Sequence, residues 1–232
     1  MTRPQQPSPW DRPDTVRGFA TSTPNPVLVE FVRGELRRAP AAALLDLGCG
    51  AGRNAVPLAA LGCRVAGIDV SAPMLDAAAQ RPDATPLAPR LRWLRAAADA
   101  LPFRDATFDL VVAHGVWNLA RSGEEFRRAV RDAARVARPG AGLFVFTFSR
   151  NTLPDAARPV PGETFVFTEF SGEPQCFLTE TQLLDELADA GFARDPAGPL
   201  TEYNRPTRPL LAPAGPVIYE GTFRRGRTEP HR

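Results

Sequence analysis

The chain is defined first by what it lacks. No lysine occurs in it, so all 28 of its basic residues are arginines. This excludes chemistries that need a lysine amine: the Schiff base of pyridoxal-phosphate enzymes, the phosphate-binding lysine of P-loop proteins and the lysine of protein kinases. Histidine is almost as scarce, with only His114 and His231. Since two histidines at ligand spacing cannot be found, we expect no metal site.

Cysteine is scarce as well and shows no redox or metal-ligand spacing. Cys49, Cys63 and Cys176 are scattered, and none forms a C-x-x-C pair. An odd number of such cysteines, and a first fifteen residues without an apolar core, predict reduced thiols and a cytoplasmic protein. No apolar run reaches membrane-spanning length, so we expect no membrane contact. The formal net charge of +2 demands no polyanionic partner.

The 232 residues suggest one α/β domain with additions. Residues 1–26 are rich in proline and predict a loosely ordered arm with short helical pieces. Residues 27–225 are expected to form a single domain, and 226–232 a flexible tail. Within the domain, residues 150–178 are too long for an ordinary connection, which suggests an inserted lid over the substrate.

Apolar strand patterns alternate with helical ones along the domain. Helix-start signals stand at Asn25, at Ser71 and at the capping box Thr179–Gln182. This alternation predicts a Rossmann-like, mostly parallel sheet of seven strands with helices on both faces. The last two strands are expected to be antiparallel. The strand segments are AALLDLG, CRVAGIDV, LRWLRAA, FDLVVAHG, GLFVFTFS, GPLTEYNR and PVIYEGTFRR.

A glycine turn follows the first strand, in LLDLGCGAGRNAVPLA at residues 44–59. Three glycines at alternate positions let a ligand approach the backbone, and the next helix offers its free N–H groups. A dinucleotide fingerprint would have its third glycine where Arg53 stands. Asp46 before the turn would repel a pyrophosphate but suits an ammonium group. The turn therefore favours a ligand with a cationic amino-acid end, a ribose and a base.

The motifs in their order resemble the class I S-adenosylmethionine-dependent methyltransferase family. LLDLGCGAGRNAVPLA is followed by VAGIDVSAPMLDAA, then DALPFRDATFDLVVAHGVWNLA, then DAARVARPGAGLFVFTFS, and the likeness covers about residues 41–150. It implies methyl transfer from S-adenosylmethionine to a small-molecule acceptor by in-line displacement. The positions it implies for the cofactor are Asp46, Gly48, Cys49, Gly50 and Gly52 at the methionine part, Asp69 at the ribose with Val70 beside it, Met74, Ala98, Asp99 and Leu101 around the adenine, and His114 near the methyl group.

Several of these positions also have a purely structural interpretation. Asp69 could cap the helix that starts at Ser71, Asp99 could shape its own loop, and Met74 could be part of the core. His114 is the one credible histidine base for a hydroxyl acceptor. It could equally pack at a strand end and bond to the backbone.

Acceptor-binding residues are expected in the additions to the core and after the fourth strand. The segment AHGVWN lacks the Asn/Asp-Pro-Pro-Tyr motif, which argues against methylation of adenine in DNA. The candidates for contact with the acceptor are Phe19, Trp117, Asn118, Arg150 and Phe170. Phe165 and Phe167 read better as an extra strand whose rings cover the sheet.

Other functions remain as alternatives. Arg128, Arg131, Arg135 and Arg138 recur at helical spacing, as an RNA-binding face or a solvated outer face would; no aromatic residues interleave with them, which argues against nucleic acid. An RNA or protein methyltransferase, a metalloid methyltransferase binding through thiolates and a nicotinamide-dependent oxidoreductase also remain. Nothing in the sequence predicts the oligomeric state.

Overall fold

The computed structural model of the chain describes residues 8–196, 198–206 and 215–226. Within them the α-helices are α1 (Pro13–Thr21), α2 (Pro26–Arg38), α3 (Ala55–Ala60), α4 (Ala72–Ala79), α5 (Gly123–Val136) and α6 (Glu180–Asp189). The strands are β1 (Ala43–Leu47), β2 (Arg64–Asp69), β3 (Leu91–Arg95), β4 (Phe108–His114), β5 (Ala137–Phe148), β6 (Val166–Phe167), β7 (Gln175–Cys176), β8 (Phe192–Arg194), β9 (Thr201–Tyr203) and β10 (Ile218–Arg225). Short 3-10 helices occupy Pro9–Asp11, Thr85–Arg90, Trp117–Leu119 and Arg150–Thr152. The predicted tail after residue 226 lies outside the described residues.

Three helices, α2, α4 and α6, begin at the cap residues that the sequence indicates. The Asn25 side chain accepts the N–H groups of the first turn of α2, and Ser71 does the same for α4. Thr179 and Gln182 form the reciprocal capping box at the start of α6, in the frame expected. These side chains satisfy N–H groups that a helix leaves free at its start.

The chain groups into two compact units, residues 1–97 and 98–232. In the first, the three strands run parallel in the order β3-β2-β1. The apolar residues of β1 are buried, as in a parallel strand covered on both faces. The N-terminal part of this unit, predicted to be loosely ordered, holds α1 and a 3-10 helix.

Gly67 of β2 lies directly opposite Trp93 of β3. A β-carbon at Gly67 would lie 2.6 Å from Cζ3 of that indole and 2.9 Å from Sγ of Cys49. The indole also reaches beneath the glycine turn, because a β-carbon at Gly52 would lie 3.1 Å from its Cη2. Trp93 therefore fills the space that side chains at both glycines would need.

In the second unit, β4 and β5 are parallel, and β10 runs antiparallel to β5, β8 and β9. The strands β6 and β7 form a separate antiparallel pair. The antiparallel arrangement of the last two predicted strands, now β9 and β10, is confirmed.

The predicted fold class is confirmed: the fold is mixed α/β, with an eight-stranded, mostly parallel sheet that ends in antiparallel strands. The predicted number of strands, seven, was one too few. The missed strand is β8, whose three residues are too short to show an alternating pattern. The predicted division into arm, domain and tail stays a prediction.

The helical pattern of the sequence predicts a helix from about Glu124 to Arg138, but α5 ends earlier. The helix stops at Val136, and β5 begins at the next residue. Pro139 disfavours helical geometry at the residue before it. In addition, the carbonyls of Arg135 and Val136 accept the N–H groups of Ala106 and Thr107, which draws the chain into the sheet.

Among the described residues, no helix is both long and apolar enough to cross a membrane.

Candidate functional site

The glycine turn adopts the backbone conformation that its composition allows. Gly48, Gly50 and Gly52 have φ values of 64°, 52° and 75°, in the left-handed region that favours glycine. Space above Gly50 is bounded by two side chains: a β-carbon there would lie 3.6 Å from Cδ1 of Phe19 and 3.9 Å from Sδ of Met74. The turn therefore leaves its backbone open to a ligand in a narrow, partly apolar gap.

Asp46 is the most unusual group beside this turn. It is 1% exposed, and its Oδ2 has no hydrogen-bond partner within the described part of the chain. Burial raises the pKa of Asp46 to about 7, and Asp69 adds to the rise, while the charge of Arg53 and the N–H of Ala55 oppose it. An orphaned, buried carboxylate oxygen of this kind fits a cationic ligand group that completes its hydrogen bonds.

Asp69 is fixed at the end of β2 by two backbone hydrogen bonds. Gly50 N–H donates to its Oδ2 at 2.9 Å, and Ser71 N–H donates to its Oδ1 at 2.9 Å. Each carboxylate oxygen keeps a second lone pair, so a ligand diol can still donate to both. The structural interpretation and the ligand-binding one are thus compatible at this residue.

Two apolar residues follow Asp69. Val70 is 52% exposed, so its side chain is accessible to a ligand. Met74 is buried in α4, with its sulfur near Gly50. The first unit thus contains a carboxylate suited to a cation (Asp46), a carboxylate suited to hydroxyl groups (Asp69) and two apolar side chains (Val70 and Met74).

Asp99, in the second unit, forms an ion pair on the outer side of α5. Arg128 donates to its Oδ2 from Nη2 at 2.8 Å and from Nε at 3.3 Å. Asp99 also lines an open groove of about 570 Å³ that continues along α5. The backbone N–H of Leu101 donates a hydrogen bond to Oδ2 of Asp132, with 2.5 Å between the nitrogen and the oxygen. The adenine role predicted for Asp99 would require its ion pair to open or to be shared.

His114 ends β4, and its ring stacks on Phe146 with centroids 4.1 Å apart and an interplanar angle of 8°. Trp117 and Asn118 follow in a 3-10 helix and are buried. Within the described residues, Nε1 of Trp117 and Oδ1 of Asn118 lack hydrogen-bond partners. One donor and one acceptor are therefore unsatisfied just after the candidate base.

The segment 150–178 is held together by its own contacts. Arg150 donates to the carbonyls of Leu153, Pro154 and Ala157, and its guanidinium lies 4.9 Å from the centroid of the Phe167 ring. These contacts occupy the guanidinium, so we assign Arg150 to the fold of the segment instead of the predicted contact with the acceptor.

The aromatic residues of the segment fall into two groups. Phe170 is half-buried against Phe148 and Phe177, and remains available to a ligand. Phe165 and Phe167 are buried beside or in the short strand β6, which among the described residues pairs with β7 alone, in a small separate sheet. The expected extra strand is therefore present.

The sequence is similar to known methyltransferases. A model of the methyltransferase domain matches residues 45–146. The ubiquinone/menaquinone biosynthesis C-methyltransferase UbiE of Ruegeria sp. (strain TM1040) is 38% identical over 84 residues, 36% of this chain and 32% of that protein. The O-methyltransferase resE of Aspergillus sclerotiorum is 29% identical over 184 residues, 79% of this chain and 66% of that protein.

The fold agrees with the sequence match. A crystal structure of a S-adenosylmethionine-dependent methyltransferase from Methanosarcina mazei has a TM-score of 0.66 and 19% identity, covering 89% of this chain and 100% of that one. Residues 45–146 of the chain therefore match a methyltransferase domain, in a fold shared with S-adenosylmethionine-dependent methyltransferases. The predicted resemblance is thereby confirmed. The chain spans less than two thirds of the length of these two curated relatives.

All three cysteines are buried, Cys49 and Cys63 within the matched residues and Cys176 beyond them. Burial raises the pKa of Cys49 well above its usual range, that of Cys63 to about 11, and that of Cys176 still further. Over the described ranges, no group of three or more His, Cys, Asp or Glu side chains could hold a metal ion. Cys49 thus contributes its backbone and small size to the turn.

One contact near the turn was missed by the sequence prediction. Ser71 Oγ donates to Oδ1 of Asp11 at 2.6 Å, across 60 positions of the chain. Asp11 stands in a proline-rich stretch with no periodic pattern, so no local signal connects it to the start of α4.

Proposed function

We propose that the protein binds S-adenosylmethionine and transfers its methyl group to a small-molecule acceptor, in the cytoplasm. The observation that carries the proposal is the unpartnered carboxylate oxygen of Asp46 beside a left-handed glycine turn to which Asp69 is bonded. The names of the relatives, C- and O-methyltransferases, support a small-molecule acceptor. Three buried, unpaired cysteines support a reducing compartment.

Each group of the first unit has a role in this proposal. Asp46 and the backbone of Gly48, Cys49, Gly50 and Gly52 hold the amino-acid end, Asp69 accepts the ribose hydroxyls, and Val70 and Met74 pack on the base. When bound, S-adenosylmethionine supplies an electrophilic methyl group on a sulfonium. The roles of Ala98, Asp99 and Leu101 at the adenine edge stay predictions.

The residues after β4 would act on the acceptor. His114 accepts the proton of a hydroxyl acceptor, and stacking on Phe146 holds its ring in one orientation. The unsatisfied polar atoms of Trp117 and Asn118 and the half-buried ring of Phe170 are the remaining candidates for contact with it. Phe19 belongs with the glycine turn instead, since its ring lies over Gly50.

The first test of the proposal is Asp69→Ala. Two charge-assisted hydrogen bonds to the ribose are lost, so the affinity for S-adenosylhomocysteine should fall at least about tenfold in isothermal titration calorimetry. Asp76→Ala, which removes an exposed carboxylate from α4, should leave it unchanged. Unchanged affinity in Asp69→Ala would remove the ribose assignment. Absence of heat with the wild-type protein, together with tight binding of a nicotinamide dinucleotide, would overturn the whole proposal.

A second test concerns His114. His114→Gln should lower kcat about 100-fold with a hydroxylated aromatic acceptor, found by screening phenols and hydroquinones for S-adenosylhomocysteine release. The dissociation constant of S-adenosylhomocysteine should change less than about threefold. Full activity of the variant at every pH would show that His114 is not a base. A loss of binding as large as the loss of kcat would instead make it a cofactor contact.

The structure weighs against an RNA-binding surface. Arg128 pairs with Asp99 and Glu124, and Arg135 pairs with Asp132 and Asp105. Arg138 pairs with Asp109. Because acidic neighbours neutralise most of this stripe, it offers a polyanion little net positive charge. A metalloid acceptor is disfavoured too, since the buried thiols resist ionisation.

A further inference from the structure

The N-terminal residues Pro9–Thr21, here called the strap, fold back onto the glycine turn. The strap consists of a 3-10 helix and α1, and Trp10 in the first packs edge-to-face on Phe19 in the second, with centroids 6.0 Å apart. Because this contact joins the two ends of the strap, they can move as one piece.

Three hydrogen bonds anchor the strap at the two ends of α4, and the longest of them runs from Ser71 Oγ to the carbonyl of Trp10 at 3.4 Å. At the start of α4, Ser71 Oγ donates to Asp11 Oδ1 at 2.6 Å, while the same oxygen accepts the Met74 N–H at 3.3 Å. Beyond its end, Arg81 Nη1 donates to the carbonyl of Ala20 at 2.7 Å. Asp11 also places a negative charge near the N-terminus of α4, where it is favoured.

The anchors hold Phe19 against the turn. Its Cδ1 lies 3.6 Å from the place of a β-carbon on Gly50, and the guanidinium carbon of Arg53 lies 5.9 Å from its ring centroid. An aromatic face here is suited to a cationic neighbour, since its π-electrons attract positive charge. Phe19 thus forms one side of the gap over Gly50, and the anchors hold it there.

The first anchor is continuous with the ribose-binding group. Ser71 donates its hydroxyl to Asp11 and its N–H to Asp69, and Asp69 in turn accepts the Gly50 N–H. A single serine therefore connects the strap to the carboxylate assigned to the ribose. Release of the strap breaks a hydrogen bond of Ser71, and Ser71 also holds the carboxylate from which the ligand would be released.

We propose that the strap is a wall of the cofactor pocket, in which Phe19 contacts the methionine end of the ligand and Asp11, acting through Ser71, is the residue that positions it. This inference rests on the proposed function. The strap must open for exchange of the ligand and closes again over it. Asp11 thereby sets how long the ligand stays, without touching it.

The lysine-free sequence allows a direct measurement of strap opening with trypsin. Between residues 8 and 32 the arginines are Arg12, which precedes a proline and resists trypsin, and Arg17 in α1. Cleavage after Arg17 therefore reports opening of the strap, and mass spectrometry detects the shortened chain. S-adenosylhomocysteine at saturation should slow this cleavage about tenfold or more.

The variants separate positioning from general stability. Asp11→Ala should raise the dissociation rate of S-adenosylhomocysteine about tenfold and abolish protection of Arg17. Asp11→Asn keeps an oxygen that accepts the Ser71 hydroxyl, so it should restore most of both. Asp76→Asn, which removes a charge at an exposed position of α4, should behave as the wild type. Phe19→Ala should weaken binding about tenfold, with Asp11 intact.

The outcomes are distinct. If S-adenosylhomocysteine binds the wild-type protein but cleavage at Arg17 keeps its rate, the strap is no part of the pocket. The same conclusion holds if Asp11→Ala and Asp76→Asn release the ligand equally fast. If S-adenosylhomocysteine does not bind the wild-type protein at all, the proposed function itself fails. Should Asp11→Ala fail to fold, the wild-type protection experiment and Phe19→Ala still decide the matter, because wild-type affinity in Phe19→Ala would show that the strap is no wall of the pocket.

Discussion

Replacing Asp46 with asparagine should make the free protein more stable at pH 8 and at the same time weaken binding of S-adenosylhomocysteine at least about 30-fold. The loss of affinity follows from removal of one partner of a buried charge pair, which typically costs about 2 kcal/mol or more. The gain in stability follows from the burial that raises the pKa of Asp46 to about 7. Chemical denaturation and calorimetry measure the two effects.

The sign of the pH dependence follows from the two pKa values of Asp46. In the unfolded chain its pKa lies near the ordinary value of 3.8, and burial in the folded protein raises the pKa to about 7. Its contribution to the free energy of unfolding is therefore fully present below about pH 4 and is lost as pH rises through 7. Between pH 5 and pH 8 the wild-type protein should lose roughly 2–3 kcal/mol that Asp46→Asn keeps.

Ligand affinity should follow the opposite trend. If the bound state needs ionised Asp46, affinity should rise about tenfold from pH 5.5 to pH 7, and decline above about pH 8 as the ligand's amino group loses its proton. Asp46→Asn should lack the rise. Asp185→Asn, which removes an exposed carboxylate on α6, should keep the wild-type profile. A wild-type affinity independent of pH between 5.5 and 7 would contradict the assignment of Asp46.

Gly67→Ala should destabilise the fold by about 2–3 kcal/mol, through a clash with Trp93. The added β-carbon would lie 2.6 Å and 2.8 Å from two ring carbons of the indole. The indole cannot simply withdraw, because it already packs against Gly52 and Cys49 lies on the other side of the new methyl group. Overpacking of this kind costs about 1–3 kcal/mol. For a chain of this size, Tm should fall by roughly 4–12 °C.

The control for Gly67→Ala is the same substitution at Gly34. That glycine lies inside α2, and the nearest group to an added β-carbon is the end of a flexible arginine at 3.7 Å. Alanine favours a helix interior over glycine by about 1 kcal/mol, so Gly34→Ala should raise Tm. In the double variant Gly67→Ala/Trp93→Leu, the loss should be smaller than the sum of the single losses. An unchanged Tm in Gly67→Ala would show that the strands part easily at this point.

Local patterns predicted much of the fold because their physics is local. Asn25 caps α2 by bonding to N–H groups two and three residues away, and the Thr179–Gln182 box closes within one helical turn. The glycine turn could be predicted equally well, since glycines at alternate positions after a buried strand indicate a tight turn that a ligand can approach. The positions of Asp46 and Asp69 follow from strand ends, which sequence locates well.

Contacts between distant parts of the chain could not be predicted in this way. The pairing of Asp99 with Arg128 joins a loop to a helix 29 residues later, and it competes with the ligand role that the motif implies. Arg150 was expected to face a ligand, yet it meets three carbonyls of its own segment, a fold that no periodicity reveals. The Asp11–Ser71 contact depends on tertiary packing alone.

The buried carboxylate of Asp46 beside the glycine turn also bears on the protein's lifetime in a cell. A native state that is weakened when empty and relieved when a small cation arrives will be unfolded, and degraded, less often when that metabolite is abundant. Its abundance would then follow the supply of its own methyl donor.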